Sequence, residues 1–243
     1  MLAAVILSGG ASSRMGSPKA LLAYQGRPFL EHLLEITVHP KIGVRRVVLG
    51  AHAEPIAKNI ALAADEIVIN ADWEKGQLSS IQAAIRSLPA AAGLPTEVGL
   101  PAAASPPPTQ PATPKHGASE AQDRLDANPK SRERGKNGTD GLLLCLIDHP
   151  LISADLVNQL IDQFYRTRSN IVLPVYQSRR GHPVIFPASL YDELLRAPVD
   201  KGARAVVWAH AAEVLEVPTD EEGCIVNLND PETMNRAIGP RTS

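Results

Sequence analysis

The sequence predicts an α/β fold in which helices pack on a mostly parallel sheet. Apolar residues make up 44% of the 243 residues, whereas aromatic residues make up only 4%. Such a composition favours helices on a parallel sheet over an aromatic-rich β-sandwich. Short apolar segments alternate with segments of helical periodicity, which is the order of β-α-β units. The length allows one large domain of this class or two small ones.

The charge balance and the cysteines limit the classes of partner and site. A net charge of −2 and a pI near 6.4 provide no basic surface for nucleic acid or a membrane, so small molecules are the expected partners. Cys145 and Cys224 form no CxxC pair, which predicts neither a zinc site nor a disulfide framework. Because no signal peptide is evident and no apolar stretch reaches about 18 residues, we expect a cytoplasmic protein.

The first third of the chain contains a predicted β-α-β unit. Leu2 to Leu7 is a short apolar segment that stops at Ser8-Gly9-Gly10, which is typical of a buried strand entering a loop. The loop extends to about Pro18. Periodicity then predicts a helix at Phe29 to Val38, strands at Arg46 to Leu49 and Glu66 to Ile69, and a helix at Leu78 to Leu88 that Ser79 or Ser80 helps to start.

The segment from Pro89 to Asp140 has a different composition. It contains nine of the 21 prolines together with Ala, Gly, Ser and charged residues, and it contains no aromatic residue. Such a segment buries too little apolar surface to repay the entropy lost on ordering. We therefore predict a disordered or mobile insertion at about residues 90–140.

The second part of the chain resumes the α/β pattern. Leu142 to Ile147 is a continuous apolar strand that ends at Asp148, so the sequence predicts a carboxylate at a strand end. Ser153 is the predicted N-cap of the next helix. The other predicted elements are a helix at Ala154 to Tyr165, a strand at Asn170 to Val175, a helix near Pro187 or Ala188, a strand near Val214 to Val217, and a short helix from Glu232 that follows the turn at residues 227–231.

The loop after the first strand has the composition of a phosphate-binding site. Residues 8–19 contain three glycines, several small residues and the cations Arg14 and Lys19. Glycines let backbone N–H groups approach an oxyanion, and the cations can neutralise charge that develops as pyrophosphate leaves. A Walker A loop does not fit, because Lys19 stands three places after Gly16, and Gly9-Gly10 breaks a GxGxxG fingerprint. The alternative is a flexible surface loop with solvated cations.

The same loop carries a resemblance to a known family. Residues 7–19, Leu-Ser-Gly-Gly-Ala-Ser-Ser-Arg-Met-Gly-Ser-Pro-Lys, resemble the signature of the MobA-like NTP transferases, which finish molybdenum cofactors. The resemblance continues at residues 26–30, 76–81, 148–150, 181–183 and 200–204. It implies a Rossmann-like, three-layer nucleotidyltransferase fold (GT-A-like) with nucleotide at the carboxyl ends of a mostly parallel sheet. Residues 1–243 would then form a single NTP-transferase domain, interrupted at about 90–140.

The resemblance implies roles for the charged residues. It assigns Arg14 and Lys19 to the triphosphate and Asp148 to Mg²⁺, a hard cation that takes one or two carboxylates and phosphate oxygens. Many relatives carry Asp where this chain has Asn229, so Asn229 is the expected second metal ligand through its amide oxygen, with Asp230 as the alternative. The competing interpretation of Asp148 is a helix N-cap or turn former.

Further contacts are expected along the loop and on two other segments. The resemblance places Ser79 and Ser80 near the nucleotide base, whereas simple helix capping explains them equally well. His182, within Gly-His-Pro, resembles a residue on the acceptor side, and a structural turn is the alternative. The expected nucleotide contacts of the loop are Leu7, Ser8, Gly9, Gly10, Ala11, Ser12, Ser13, Arg14, Gly16 and Lys19.

The implied reaction is transfer of a nucleotide from an NTP to the phosphate of molybdopterin, with release of pyrophosphate. Gly181-His182-Pro183 and Lys201-Gly202-Ala203-Arg204 resemble the cytidylyl branch of the family, which makes CTP the expected nucleotide. Guanylyl transfer and a cytidylyltransferase for a sugar or polyol phosphate are alternatives. A further alternative is a non-catalytic carrier that delivers the cofactor to a molybdoenzyme partner, although a carrier has no need of a metal carboxylate opposite a triphosphate loop.

Overall fold

The computed structural model describes residues 1–89, 138–167 and 170–239, so almost all of the predicted insertion lies outside the described residues. The strands are β1 (Leu2–Ser8), β2 (Ala23–Tyr24), β3 (Arg27–Pro28), β4 (Ile42–Leu49), β5 (Ile67–Ile69), β6 (Gly141–Leu146), β7 (Ile171–Tyr176), β8 (Arg179–Arg180), β9 (Val184–Pro187) and β10 (Val214–Pro218). The helices are α1 (Phe29–Ile36), α2 (Ala53–Asn59), α3 (Gln77–Ser87), α4 (Ala154–Thr167), α5 (Tyr191–Arg196), α6 (Arg204–Ala209) and α7 (Pro231–Ile238). None of the helices in these ranges is long and apolar enough to span a bilayer.

A mostly parallel sheet forms the centre of the fold. Its strands follow the order β10-β7-β9-β6-β1-β4-β5, and the short β8 pairs with β7. Neighbours along this order are parallel except at β9, which is antiparallel to both β6 and β7. β2 and β3 form a separate antiparallel pair. The predicted α/β class with a mostly parallel sheet is confirmed.

Helices cover both faces of the sheet, because β1 is apolar on both of its sides. Leu2, Ala4 and Ile6 belong to one buried cluster, whereas Ala3 and Val5 belong to the other. The first cluster includes buried residues of α1, α2, α4 and α7, and the second includes those of α3, α5 and α6. The result is the three-layer arrangement that the family resemblance implied.

Several element ends differ from the prediction for local reasons. α3 begins at Gln77, one residue before the predicted Leu78, and its N-cap is Gly76 and neither Ser79 nor Ser80; the φ of 103° at this position favours glycine. The Ser79 hydroxyl instead bonds to the carbonyl oxygens of Gly76 at 2.7 Å and Asp72 at 3.0 Å. The predicted N-cap at Ser153 is confirmed, since its Oγ accepts a hydrogen bond from the backbone N–H of Leu156 at 3.1 Å.

Other elements carry too weak a pattern to be predicted. β4 begins at Ile42, four residues before the predicted Arg46. The prediction missed this part of the strand because residues 42–45 are exposed or only partly buried and include an arginine, so they form no continuous apolar segment. No strand is predicted at β9, whose four residues are all buried and therefore show no alternation. α2 has a single buried apolar residue, Ile56, and α6 has only Val206, so neither shows helical periodicity.

The strand register brings three loops to one edge of the sheet. Ser8 at the end of β1 is paired with Leu49 of β4, and Leu7 is paired with Leu146 of β6. The pairing of β1 with β4 continues one step beyond the strands, where the N–H of Ala51 donates to the carbonyl oxygen of Gly9 at 3.1 Å. The glycine loop, the turn after β4 and the segment that begins with Asp148 therefore start side by side.

We expect Gly141→Ala to destabilise the sheet. A Cβ at this position would lie 2.5 Å from the carbonyl oxygen of Phe186 and 2.9 Å from Cζ of Phe164, so β9 or α4 must shift. Overpacking of this kind costs about 1–3 kcal/mol of the free energy of unfolding, measurable by chemical denaturation. The control is Gly10→Ala, where a Cβ meets nothing within 4 Å. Equal stabilities of the two variants would contradict the packing at β6.

Candidate active site

A cavity of about 570 Å³ lies at the carboxyl ends of β1, β4 and β6. Its floor is the end of the sheet, and its rim consists of the loops that follow these strands. Among the predicted site residues, those that line the cavity are Leu7, Ser8, Gly9, Gly10, Ser12, Lys19, Ser80, Asp148 and His182. The other predicted residues of the glycine loop, which are Ala11, Ser13, Arg14 and Gly16, do not line this cavity.

Arg14 and Ser13 line a smaller neighbouring cavity of about 220 Å³. Ser12 and Lys19 contribute to both cavities, and Asn229 closes the smaller one. Ala11 and Gly16, together with Ser79, line neither of the two. The two loop cations thus face adjacent spaces, which suits an extended polyanion better than a single phosphate.

The glycine loop is held in its path by a small set of local contacts. The backbone N–H groups of Met15 and Lys19 donate to the carbonyl oxygen and the Oγ of Ser12, at 2.9 Å and 3.1 Å. Ser12 has a φ of 51° and Gly16 a φ of 66°, so the chain turns sharply at both ends of this segment. The Met15 side chain is buried in the core and anchors the loop. Lys19 is directed into the cavity as a result.

Lys19 joins the two residues that were predicted as metal ligands. Its ammonium contacts the side-chain oxygen of Asn229 and lies 3.8 Å from Oδ2 of Asp148. Only 13% of the Lys19 side chain is exposed, and this burial lowers its pKa, with Arg14 acting in the same direction and the Asp148 carboxylate opposing both. Residues from three distant segments therefore meet around one positive charge.

The oxygen donors around Lys19 fit a hard divalent cation. Asp148 supplies a carboxylate and Asn229 an amide oxygen, which matches the few protein ligands that Mg²⁺ takes alongside phosphate oxygens. Asp230, the alternative ligand, accepts hydrogen bonds from the N–H and the hydroxyl of Thr233 as the N-cap of α7. Over the described residues, no three His, Cys, Asp or Glu side chains form a metal cluster.

The wall beside β4 and β5 is built by close packing around glycines. A Cβ on Gly50 would lie 2.4 Å from the carbonyl oxygen of Gly9 and 2.7 Å from Cβ of Trp73. Ser80 faces the cavity, while Ser79 points into the turn before α3, and Asn70 donates to both hydroxyls at 2.9 Å. Successive helix residues differ by about 100° in direction, which separates the two serines.

The opposite wall, beside β6 and β9, contains residues that the sequence did not single out. His149 and Asn227 line the cavity next to His182 and Asp148. The Nδ2 group of Asn227 donates to Oδ2 of Asp148 at 3.1 Å, and the rings of His149 and His182 have centroids 5.0 Å apart. Burial lowers the pKa of both histidines, that of His182 to about 4, and the nearby His149 adds to the effect on His182.

Three other residues that line the cavity were not among the predicted site residues. His52 follows β4, and its Nε2 lies 2.7 Å from the carbonyl oxygen of Ala11. Trp73 and Gln77 follow β5 and border the same space. His52 and Trp73 lie within four residues of the ends of β4 and β5, at the ligand-binding edge of such a sheet, which is a signal that the sequence offers. Gln77, the first residue of α3, has no such signal.

The chain matches one known protein family over most of its length. The MobA-like NTP transferase domain matches residues 4–214, which is most of the chain. The chain belongs to this family. Within the MobA-like NTP transferase match lie the glycine loop, Asp148 and His182, whereas Asn227 and Asn229 follow it.

Curated relatives match parts of this MobA-like chain. "Nicotine blue oxidoreductase" of Paenarthrobacter nicotinovorans is 39% identical over 80 residues, covering 32% of this chain and 39% of that protein. A "probable molybdenum cofactor guanylyltransferase" of Bacillus cereus (strain ZK / E33L) is 41% identical over 59 residues, covering 23% of this chain and 28% of the relative. The matched segments thus span well under half the length of these relatives.

Solved structures share the MobA-like fold over nearly the full length. Rv0371c from Mycobacterium tuberculosis H37Rv has a TM-score of 0.67 and 20% identity, covering 99% of this chain and 100% of that one. A structure of Rv0371c in complex with manganese has a TM-score of 0.62 and 19% identity, with 99% of each chain covered. A nucleotidyl transferase from Methanothermobacter thermautotroptrophicus has a TM-score of 0.63 and 16% identity, covering 98% and 96%.

We expect Asn229→Asp to strengthen the binding of a divalent cation. The change places a second carboxylate against the group shared by Lys19 and Asp148, and ligand charge is a main determinant of affinity for hard cations. Titration with Mn²⁺, followed by electron paramagnetic resonance, should show a Kd lower by about tenfold. Asn59→Asp, an equal charge change at an exposed residue of α2, is the control. An unchanged Kd in Asn229→Asp would show that residue 229 does not face the cation.

Proposed function

We propose that this protein is a divalent-metal-dependent nucleotidyltransferase, which transfers a nucleotide from an NTP to the phosphate of a pterin-type acceptor, molybdopterin, and releases pyrophosphate. The observation that carries the proposal is the meeting of Lys19 and Asp148 at the edge of a cavity formed by the glycine loop. A partly buried cation beside a carboxylate suits the binding of a triphosphate together with a divalent ion. Membership of the MobA-like family and the guanylyltransferase relatives support the same reaction class.

The residues of the chain would act by holding charge and orienting groups. Lys19 and Arg14 face adjacent cavities and would bind the triphosphate from two sides, which stabilises the charge that moves onto pyrophosphate. A phosphate oxygen of the acceptor forms the new bond to the α-phosphorus while the bond to the β-phosphate breaks. A bound metal ion would polarise the α-phosphoryl group and balance negative charge. Asp148 and Asn229 are the residues that would hold it, and we propose Mg²⁺ as the ion, a choice supported by their oxygen donors.

CTP is the proposed nucleotide, and GTP is the second candidate. The cytidylyl choice rests on the resemblance of residues 181–183 and 201–204 to that branch of the family. GTP is favoured by the relatives from Bacillus cereus, which are named as guanylyltransferases. The base would lie against the wall formed by Gly9, Trp73 and Ser80, where a few hydrogen bonds decide the choice.

A function of another class is suggested by the oxidoreductase relative. It matches 80 residues at 39% identity, which makes a redox activity a specific second candidate. A carrier without catalysis is a third. We rank both below nucleotidyl transfer, because Arg14, Lys19 and Asp148 together provide for a triphosphate and a cation and not for electron transfer.

Release of pyrophosphate is the direct test. The full chain is incubated with Mg²⁺, molybdopterin and CTP, GTP, ATP or UTP in parallel, and pyrophosphate is measured over time. We expect release with CTP only when both the acceptor and Mg²⁺ are present. Selective release with GTP would replace cytidylyl by guanylyl transfer. No release with any nucleotide would contradict the proposal and leave a carrier or redox function.

We expect Asp148→Asn to reduce pyrophosphate release by at least about a hundredfold, because the variant keeps the shape of the side chain but loses the charge that holds the cation. Thermal unfolding of the variant checks that the fold is retained. Asp162→Asn is the matched control, since Asp162 is exposed on α4 and paired with Lys41 at 2.7 Å. Activity of Asp148→Asn equal to that of the control would remove Asp148 from the metal site.

A further inference from the structure

The glycine loop is tied to the turn after β4 by two hydrogen bonds. The N–H of Ala51 donates to the carbonyl oxygen of Gly9 at 3.1 Å, and Nε2 of His52 lies 2.7 Å from the carbonyl oxygen of Ala11. Because a carbonyl oxygen can only accept, Nε2 carries the hydrogen and donates it. Consecutive residues of the turn therefore hold alternate carbonyl groups of the loop, and the second bond comes from a side chain.

His52 is itself held in place by α2. The residue immediately precedes this helix, and its carbonyl oxygen accepts a hydrogen bond from the N–H of Ile56 at 3.2 Å. The side chain of Ile56 is buried in the core and fixes the first turn of the helix. The imidazole makes no capping hydrogen bond to α2, so its donor is directed at the loop.

The bond to Ala11 fixes the orientation of one peptide group. The peptide between Ala11 and Ser12 is trans, so the N–H of Ser12 points away from the carbonyl oxygen that His52 holds. Ser12 lines both cavities of the site. Backbone N–H groups in such a loop attract an anion, whereas a carbonyl oxygen repels it. Half a turn of this peptide would exchange the two groups.

The conformation of Ser12 favours that half turn unless something prevents it. Its φ of 51° lies in the left-handed region, which costs free energy for a residue with a side chain. Half a turn of the preceding peptide would bring φ to an ordinary negative value. On the far side of Ser12, the N–H groups of Met15 and Lys19 bond to its carbonyl oxygen and its Oγ. His52 provides the restraint on the near side.

We infer that His52 is a positioning residue, which acts through the carbonyl oxygen of Ala11. It holds the glycine loop in the conformation that presents the N–H of Ser12, and the lysine that Ser12 orients, to a polyphosphate. The role of the polyphosphate rests on the proposed function, whereas the holding of the loop does not. The bond joins residues 41 positions apart, so no contiguous motif indicates it.

Two substitutions separate the donor of His52 from its shape. His52→Gln keeps an N–H donor at about the place of Nε2, whereas His52→Met keeps a side chain of similar length without a donor. His39→Met is the matched control. His39 precedes β4 at the opposite edge of the sheet, and its Nδ1 accepts the N–H of Lys41 at 3.0 Å, so this variant also loses one hydrogen bond of a histidine.

The first measurement needs no ligand. Hydrogen exchange of the N–H groups of Met15 and Lys19, which bond to Ser12, is followed by NMR in the full chain. We expect exchange about tenfold faster in His52→Met, the value of one lost hydrogen bond, because the loop then leaves this conformation more often. Exchange in His52→Gln and in the control should equal that of the unmodified chain.

The second measurement is the binding of inorganic tripolyphosphate with Mg²⁺, by isothermal titration calorimetry. This probe carries neither a base nor an acceptor. We expect His52→Met to raise its Kd about tenfold and His52→Gln to restore it. Where the unmodified chain releases pyrophosphate, His52→Met should raise KM for the NTP by a similar factor and leave KM for the acceptor unchanged.

The outcomes separate this inference from the proposed function. Exchange or a Kd that is equal in His52→Met and the unmodified chain overturns the inference even if nucleotidyl transfer occurs. A loss in His52→Gln as large as in His52→Met also overturns it, because the shape of the ring and not its donor would then matter. Exchange that depends on the donor, in a chain that neither binds tripolyphosphate nor transfers a nucleotide, would sustain the hold on the loop and remove the proposed function.

Discussion

The pairing of β1 with β4 on one side and β6 on the other is the constraint on which the cavity depends. β1 is buried along its whole length, so its position is set by both faces and both edges at once. A slip of one residue would exchange its two apolar faces. Because the register is fixed, the glycine loop, Gly50 and Asp148 leave the sheet at the same level. Every distance in the site follows from that alignment.

Within this frame Lys19 is largely shielded from solvent, whereas the other loop cation, Arg14, is exposed. Met15 anchors the loop in the core, and Ser12 holds the N–H of Lys19, so the lysine ammonium is fixed against Asp148 and Asn229. A partly desolvated charge interacts more strongly with its neighbours than an exposed one. The same burial that lowers the pKa of Lys19 therefore makes it an effective partner for a phosphate.

Charged and uncharged side chains lie on different sides of the cavity. Positive charge and the Asp148 carboxylate lie next to the glycine loop, while the wall at β6 and β9 offers imidazole rings and an amide. Asn229 contributes an uncharged amide oxygen beside Lys19, so a cation held by Asp148 and Asn229 would meet one carboxylate and one amide from these two residues. Solved structures at 20% identity or less share the fold.

The sequence by itself determined six of the ten strands in the described residues (β1, β4, β5, β6, β7 and β10), the glycine-rich segment and the family, because each of these has its signal within one contiguous segment. The apolar segment before Ser8 and the strand before Asp148 are local signals that need no knowledge of partners. Only the tertiary structure decided the strand order, the reversal of β9, the choice of Ser80 over Ser79 as the cavity residue, and the placement of Asn227 and His149 in the wall. These features depend on contacts between residues far apart in the chain, and such contacts cannot be predicted from periodicity or composition.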